Sequence, residues 1–154
     1  MKKIIAISIV SFFIDRITKI CVTANLVPYI KNKVIDNFFY ITYLKNKGAA
    51  WSILEGNRFL LIIISVIAFC FILGCILKEK NIDKIESLSY GILIGGILGN
   101  LFDRIFYGYV IDFLDFNIFG YNYPVFNIAD VLIVVGVLIM IVLSFRRDKN
   151  ENRS

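Results

Sequence analysis

The chain has 154 residues, 58% of them hydrophobic, at a mean hydropathy of +0.77, which excludes an ordinary soluble domain of this size. Its net charge of +5 comes from basic residues scattered over ends and loops, a pattern of membrane orientation and not of a nucleic-acid patch. There is no histidine, so Ser-His chemistry is excluded and the usual zinc sites lose a principal ligand.

Crossing a bilayer takes about 20 mostly apolar residues. Residues 4–24 are the first predicted span. Lys2 and Lys3 before Ile4–Ile14 imitate a secretory signal, but Asp15, Arg16 and Lys19 interrupt the run and no small-residue cleavage site follows. Bulky Ile20 before Cys21 argues against a lipid-attachment cysteine. Asp15 and Lys19 stand four apart with the acid first, the favourable order for a helical ion pair. The pair reads as a self-neutralised brace or as part of a site.

The loop 25–58 holds "VIDNFFYITYL" (34–44), rich in β-branched and aromatic residues, and "KNKG" (45–48), a turn. This predicts a small sheet-like platform. The following "AAWSIL" suits an interfacial lid, with Trp51 at headgroup level as lid or plain anchor. Residues 59–77 are the second span. Cys70 and Cys75 lie five apart on it and point in different directions, so they read as packing residues.

The third span, 88–106, carries two stripes at helical spacing: Gly91, Gly95, Gly99 and Asp103, and beside it Gly96, Asn100 and Arg104. Glycines let a neighbouring helix approach closely, and here they lead to an amide, an acid and a guanidinium. In the loop 107–125, Asp112 sits between Ile111 and Phe113, and Asp115 reads as solvated. The fourth span, 126–145, opens with Asn127 and Asp130.

Lys2, Lys3, Lys78, Lys80, Lys84, Arg146, Arg147, Lys149 and Arg153 share one side of this four-span arrangement. The other side also has cations, in the first loop, yet the balance favours cytoplasmic termini. The polar residues of spans one, three and four then meet at the outer leaflet. A charge at the bilayer centre costs about 2.5 to 3.5 kcal/mol on insertion scales, so such groups need a partner or a task. Asp112 and Asp130 have no evident counter-charge. Apposed, they would hold one proton between them and supply a general acid and a general base together. A proton-relay transporter is the rival reading, but it should distribute polar groups through the membrane depth. An assembly factor leaves the paired acids unexplained.

The blocks "DRITK" (15–19), "NKGAAWS" (46–52), "GGILGNLFDR" (95–104), "VIDF" (110–113) and "FNIAD" (126–130), in this order over nearly the whole length, resemble those of lipoprotein signal peptidase (signal peptidase II), a bacterial membrane aspartic protease family. The resemblance implies an all-α membrane protein of four transmembrane helices with a small extracytoplasmic β-rich platform, a single domain over 1–154. It implies Asp112 and Asp130 as the catalytic dyad, with Asp15, Lys19, Asn46, Gly48, Asn100, Asp103, Arg104 and Asn127 in support. The implied substrate is a diacylglyceryl-modified prolipoprotein, cut on the amino side of its lipidated cysteine at the bacterial cytoplasmic membrane. Membrane lipids are the other expected partners. No cofactor, metal or nucleic acid is expected, and a monomer is. Arg16, Trp51, Ile97 and Val131 depart from the family's usual Gln, Phe, small residue and Ser; Ile97 bears on helix packing and Val131 removes a hydroxyl beside the catalytic acid, but neither touches the dyad.

Overall fold

The computed structural model describes residues 1–49, 53–79 and 81–151, with side chains to residue 146. In chain order the elements are α1 (Lys2–Asn25), β1 (Lys31–Ile35), β2 (Phe39–Asn46), α2 (Arg58–Lys78), α3 (Lys84–Phe106), β3 (Val110–Ile118), β4 (Tyr121–Asn122) and α4 (Ile128–Glu151). The protein is mostly helical with one small antiparallel sheet. Among the described residues, three helices are long and apolar enough to cross a membrane: Arg58–Lys78, Lys84–Phe106 and Ile128–Arg146. α1 is of similar length but carries Asp15, Arg16 and Lys19, all buried inside the protein.

α3 is the central helix, buried along most of its length, whereas α2 and α4 leave most of theirs uncovered. Its glycines explain why. A Cβ on Gly91 would meet Ile7 at 2.6 Å, one on Gly95 would strike Ser11, and one on Gly99 would meet the Asp15 carboxylate at 2.5 Å. α1 therefore lies parallel to α3, backbone close to backbone. On the adjoining face, a Cβ on Gly96 would meet the Ala129 carbonyl at 2.5 Å. Gly136 of α4 lies against Leu93 and Ser89, so α4 runs antiparallel. α2 packs mainly on α3. Its contacts include Ile72 and Ile76 in the apolar cluster with Ile4, Leu93 and Ile97.

The strands lie in the order β1-β2-β3-β4, all neighbours antiparallel. A second apolar cluster of Val22, Tyr43, Ile111 and Phe113 seats the sheet on the end of α1. The platform expected from 34–44 is present, but β3 and β4 occupy residues for which the sequence predicts a loop. Most of β3 is buried, so it lacks the alternation that betrays a half-buried strand. The expectation for Asp115 is overturned for the same reason. It is 2% exposed, accepts a hydrogen bond from Thr42 Oγ1 at 2.9 Å and pairs with Lys31 Nζ at 2.9 Å.

Boundaries also move. β2 takes in Lys45 and Asn46, the first half of the predicted turn. α3 starts at Lys84 rather than 88 because Asp83 and Glu86 form a reciprocal capping box at 2.8 and 2.9 Å. α4 starts at Ile128, since Phe126 still pairs with Leu114, and it continues beyond Phe145 through Glu151. Trp51, with Ala50 and Ser52, lies outside the described residues, and the lid expected there with it.

Candidate active site

Two chain reversals bring the acids together. α3 ends at Phe106 with Tyr107 as its C-cap, and Gly108 at φ +81 turns the chain into β3, a left-handed conformation that glycine adopts without steric cost. Arg58 Nε and Nη2 cap the free carbonyls of Arg104 and Ile105, each at 2.7 Å. The strand then carries Asp112 opposite Leu44 of β2. The second reversal is at the start of α4. Asn127 Oδ1 accepts from the Asp130 backbone N–H at 3.0 Å, and Asp130 Oδ2 accepts from the Asn127 N–H at 3.1 Å. This reciprocal cap fixes the Asp130 carboxylate in the first helical turn.

Asn127 also reaches the other acid, since its Nδ2 donates to Asp112 Oδ1 at 2.6 Å. Asp112 Oδ2 accepts from Asn46 Nδ2 at 2.8 Å, and Asp130 Oδ1 from Asn100 Nδ2 at 2.7 Å. Each carboxylate oxygen of the pair thus accepts one N–H. Asp112 is 2% exposed. Burial, followed by the neighbouring Asp130 carboxylate, pushes its pKa up to about 7 against the pull of the Asn46 and Asn127 amides.

Behind the pair lies a buried ionic cluster. Lys19 Nζ is fully enclosed, 3.0 Å from Asn100 Oδ1, 2.8 Å from Asp103 Oδ2 and 2.9 Å from Asp15 Oδ2. The last contact is an ion pair by distance without hydrogen-bond alignment. Asp15 Oδ1 accepts from the Ala129 N–H at 3.1 Å, tying α1 to the first turn of α4. Asp103 pairs with Arg16 through one oxygen, and through the other accepts from the Ile111 N–H at 3.2 Å, next to Asp112. Asn100 Oδ1 further accepts from Asn127 Nδ2 at 3.2 Å. Counting Arg104, three cations face the four carboxylates of Asp15, Asp103, Asp112 and Asp130.

Asp112 and Asp130 open onto a cavity of about 810 Å³ between α2 and α4, beneath the sheet. Asn46, Asn100 and Arg104 add polar edges at that end, and most of the rest is hydrocarbon from residues such as Phe71, Ile97, Val131 and Val134. α2 supplies an apolar wall, and the one hydroxyl it brings, Ser65 Oγ, bonds to Leu61 O at 2.9 Å. Arg104 Nη2 donates to Gly48 O at 3.3 Å, while its Nε has no partner among the described residues. Gly48 N–H in turn donates to Asn46 Oδ1 at 2.8 Å, which orients the amide that holds Asp112.

All ten predicted site residues therefore fall into one connected group. Arg16 was missed as a member. Its signal was present, a cation in an apolar span one place after Asp15, but only the fold shows that its partner is Asp103, 87 positions on. The role of Arg58 was equally hidden, because a helix C-terminus has to be located before its cap can be recognised.

Three comparisons bear on this arrangement. The signal peptidase (SPase) II family matches residues 7–146. A solved structure described as a bacterial membrane enzyme, obtained by the in meso method at 2.3 Å, shares 33% identity over 97% of this chain and 92% of its own, with a TM-score of 0.89. A second of the same description, at 1.9 Å, shares 34% identity over 93% of this chain and 92% of its own, with a TM-score of 0.83.

Proposed function

Since the chain belongs to the signal peptidase II family, membrane peptidases that remove signal peptides from lipoprotein precursors, we propose that it is an aspartic endopeptidase cutting diacylglyceryl-modified prolipoproteins on the amino side of the lipidated cysteine. The observation that carries this reading is the pair of carboxylates, Asp112 and Asp130, held by one residue, Asn127, at the polar end of an apolar cavity.

In the proposed reaction one carboxylate of the pair takes a proton from a water between them. The water oxygen attacks the scissile carbonyl carbon, and the protonated partner donates to the developing oxyanion. On collapse the C–N bond breaks, the amine takes the proton of one dyad acid, a hydroxyl of the tetrahedral intermediate returns its proton to the other carboxylate, and the pair is again singly protonated. The charge count supports one shared proton: it makes the cluster of three cations and four acids neutral, the state a buried group favours. Arg104, which lines the cavity beside the dyad, suits a substrate carbonyl. Asn46, Gly48, Asn100 and Asn127 orient the acids, and Asp15, Lys19 and Asp103 brace α4 and β3, which carry them. No metal enters this reaction, and the amide donors on every dyad oxygen support that.

The same reading makes residues 1–154 a single, monomeric peptidase domain with four transmembrane helices. α1 is the fourth span, because its charges are satisfied by α3 and α4 and not by lipid. Both termini lie in the cytoplasm and the dyad near the outer leaflet of the bacterial inner membrane, where a diacylated cysteine sits with its tails in the hydrocarbon. The test is cleavage of a diacylglyceryl-modified precursor peptide by the purified chain in detergent, with and without a chelator. Cleavage before the modified cysteine, unaffected by chelator, is expected; an uncut peptide contradicts the proposal.

A further inference from the structure

α2 has a second cleft on its other side. Between α1 and α2, over the outer face of α3, lies a cavity of about 520 Å³ running from Met1 and Ile76 to Phe102 and Phe106. Ser8 is its one hydroxyl-bearing residue, and that hydroxyl is bonded to Ile4 O at 2.8 Å. The cleft offers hydrogen bonds to nothing, so its natural occupant is hydrocarbon. It runs along the helices as an open cleft with α3 as its floor.

Its sheet end has a different chemistry. Phe102 packs against Tyr107 at 6.2 Å between ring centroids, and Tyr107 against Tyr109 at 6.2 Å. The Tyr109 and Tyr43 hydroxyls are 3.4 Å apart. Above these two rings stands Lys45, its Nζ 5.3 and 5.7 Å from their centroids. Among the described residues Lys45 has no carboxylate partner; the rings hold it by cation–π attraction. Arg16, over Phe102 at 4.6 Å, is already committed to Asp103. Lys45 and Asn46 are neighbours on β2, so their side chains point to opposite faces. Asn46 serves Asp112, while Lys45 lies with Tyr43 and Tyr109, which the ring contacts of Tyr107 and Phe102 join to the end of the other cleft.

We propose that this cleft, with Lys45, Tyr43 and Tyr109 above it, binds one anionic membrane phospholipid, an acyl chain along the cleft and the phosphate beside the Lys45 ammonium. The complementarity is of two kinds. An apolar cleft matches the tail, and a cation held over two tyrosine rings, without a carboxylate partner among the described residues, matches the phosphate. The occupant is bulk membrane lipid and not the substrate's diacylglyceryl group, because α2 stands between this cleft and the cavity of Asp112 and Asp130. Such a lipid fills the gap that α1 and α2 leave on α3 and ties the sheet to the bilayer.

The experiment uses the full chain in detergent, titrated with phosphatidylglycerol and separately with diacylglycerol, which lacks the phosphate, and read by native mass spectrometry. One phosphatidylglycerol per chain is expected, at least tenfold tighter than diacylglycerol. Lys45→Gln should weaken it about tenfold, as the loss of one charge-assisted contact implies, and Lys45→Arg should keep it. Ile9→Trp, on the exposed face of α1 at the cleft, should block the tail while leaving the melting temperature without lipid unchanged. Equal retention of the two lipids, or binding untouched by both Lys45→Gln and Ile9→Trp, overturns the proposal. No cleavage assay enters the test, so it stands or falls apart from the peptidase reading.

Discussion

Asn127 Nδ2 donates to Asp112 Oδ1 at 2.6 Å while the backbone N–H of the same Asn127 donates to Asp130 Oδ2 at 3.1 Å. One residue thus sets the separation of the two acids. Asn127→Ala should remove both the amide bond to Asp112 and the cap on α4, at a stability cost of about 1 to 2 kcal/mol. Cleavage should fall further than stability, by roughly 100-fold or more, because the dyad loses its spacing. Rates and thermal melts in detergent check this; a variant that melts lower but cleaves at the parent rate would reduce Asn127 to a cap.

The pH dependence follows from Asp112. Its pKa is pushed up to about 7, above the roughly 3.9 of an unperturbed Asp. Between those values the folded protein holds a proton that the unfolded chain has released, so the contribution to stability is present at low pH and lost as the pH rises toward 7. Activity should decline above about pH 7 as the pair loses its remaining proton. Melting temperature against pH should fall through this window for the parent and flatten for Asp112→Asn.

Lys19 is enclosed among Asp15, Asp103 and Asn100. Lys19→Met leaves two carboxylates short of a cation and should cost about 3 to 5 kcal/mol. Adding Asp15→Asn to Lys19→Met should recover part of that loss, which a double-mutant cycle of melts in detergent measures. Additive losses would show that the two side chains act independently.

Glycine contacts give a paired test on helix approach. A Cβ at Gly96 meets the Ala129 carbonyl at 2.5 Å, whereas one at Gly74 in α2 meets nothing within 4 Å. Gly96→Ala should force α4 from α3 at a cost of about 1 to 3 kcal/mol and lower cleavage by moving Asp130 from Asn100. Gly74→Ala should be neutral or stabilising by up to about 1 kcal/mol. Equal behaviour of the two variants would mean that α3 and α4 are not in close backbone contact.

Much of this was legible in the sequence because lipid solubility and charge conflict so sharply. A glycine at every fourth place aimed at Asp103, and an Asn and an Asp at the mouth of an apolar run, are hard to read as mere packing. The helices could be placed from hydropathy, with ends off by a few residues where capping side chains decide, as at Asp83 and Asn127. What stayed hidden was everything set by long-range pairing. β3 is buried on β2 and carries two acids, so neither its alternation nor its hydropathy marks it as a strand. Asp115 looks solvated until Thr42 and Lys31 are brought to it from strands more than 70 residues away. The partners of Arg16 and Arg58 are likewise products of the fold.

In the proposed reaction Asp112 and Asp130 perform the hydrolysis together. The direct measurement is the cleavage rate of a diacylglyceryl-modified precursor by purified Asp112→Asn and Asp130→Asn, each first shown to be folded by its melt in detergent. Both substitutions keep the shape of the side chain and remove its ionisation. Each alone should lower the rate by a factor of roughly 1,000 or more, about 4 kcal/mol of transition-state stabilisation. A folded variant of either that cleaves within tenfold of the parent contradicts it.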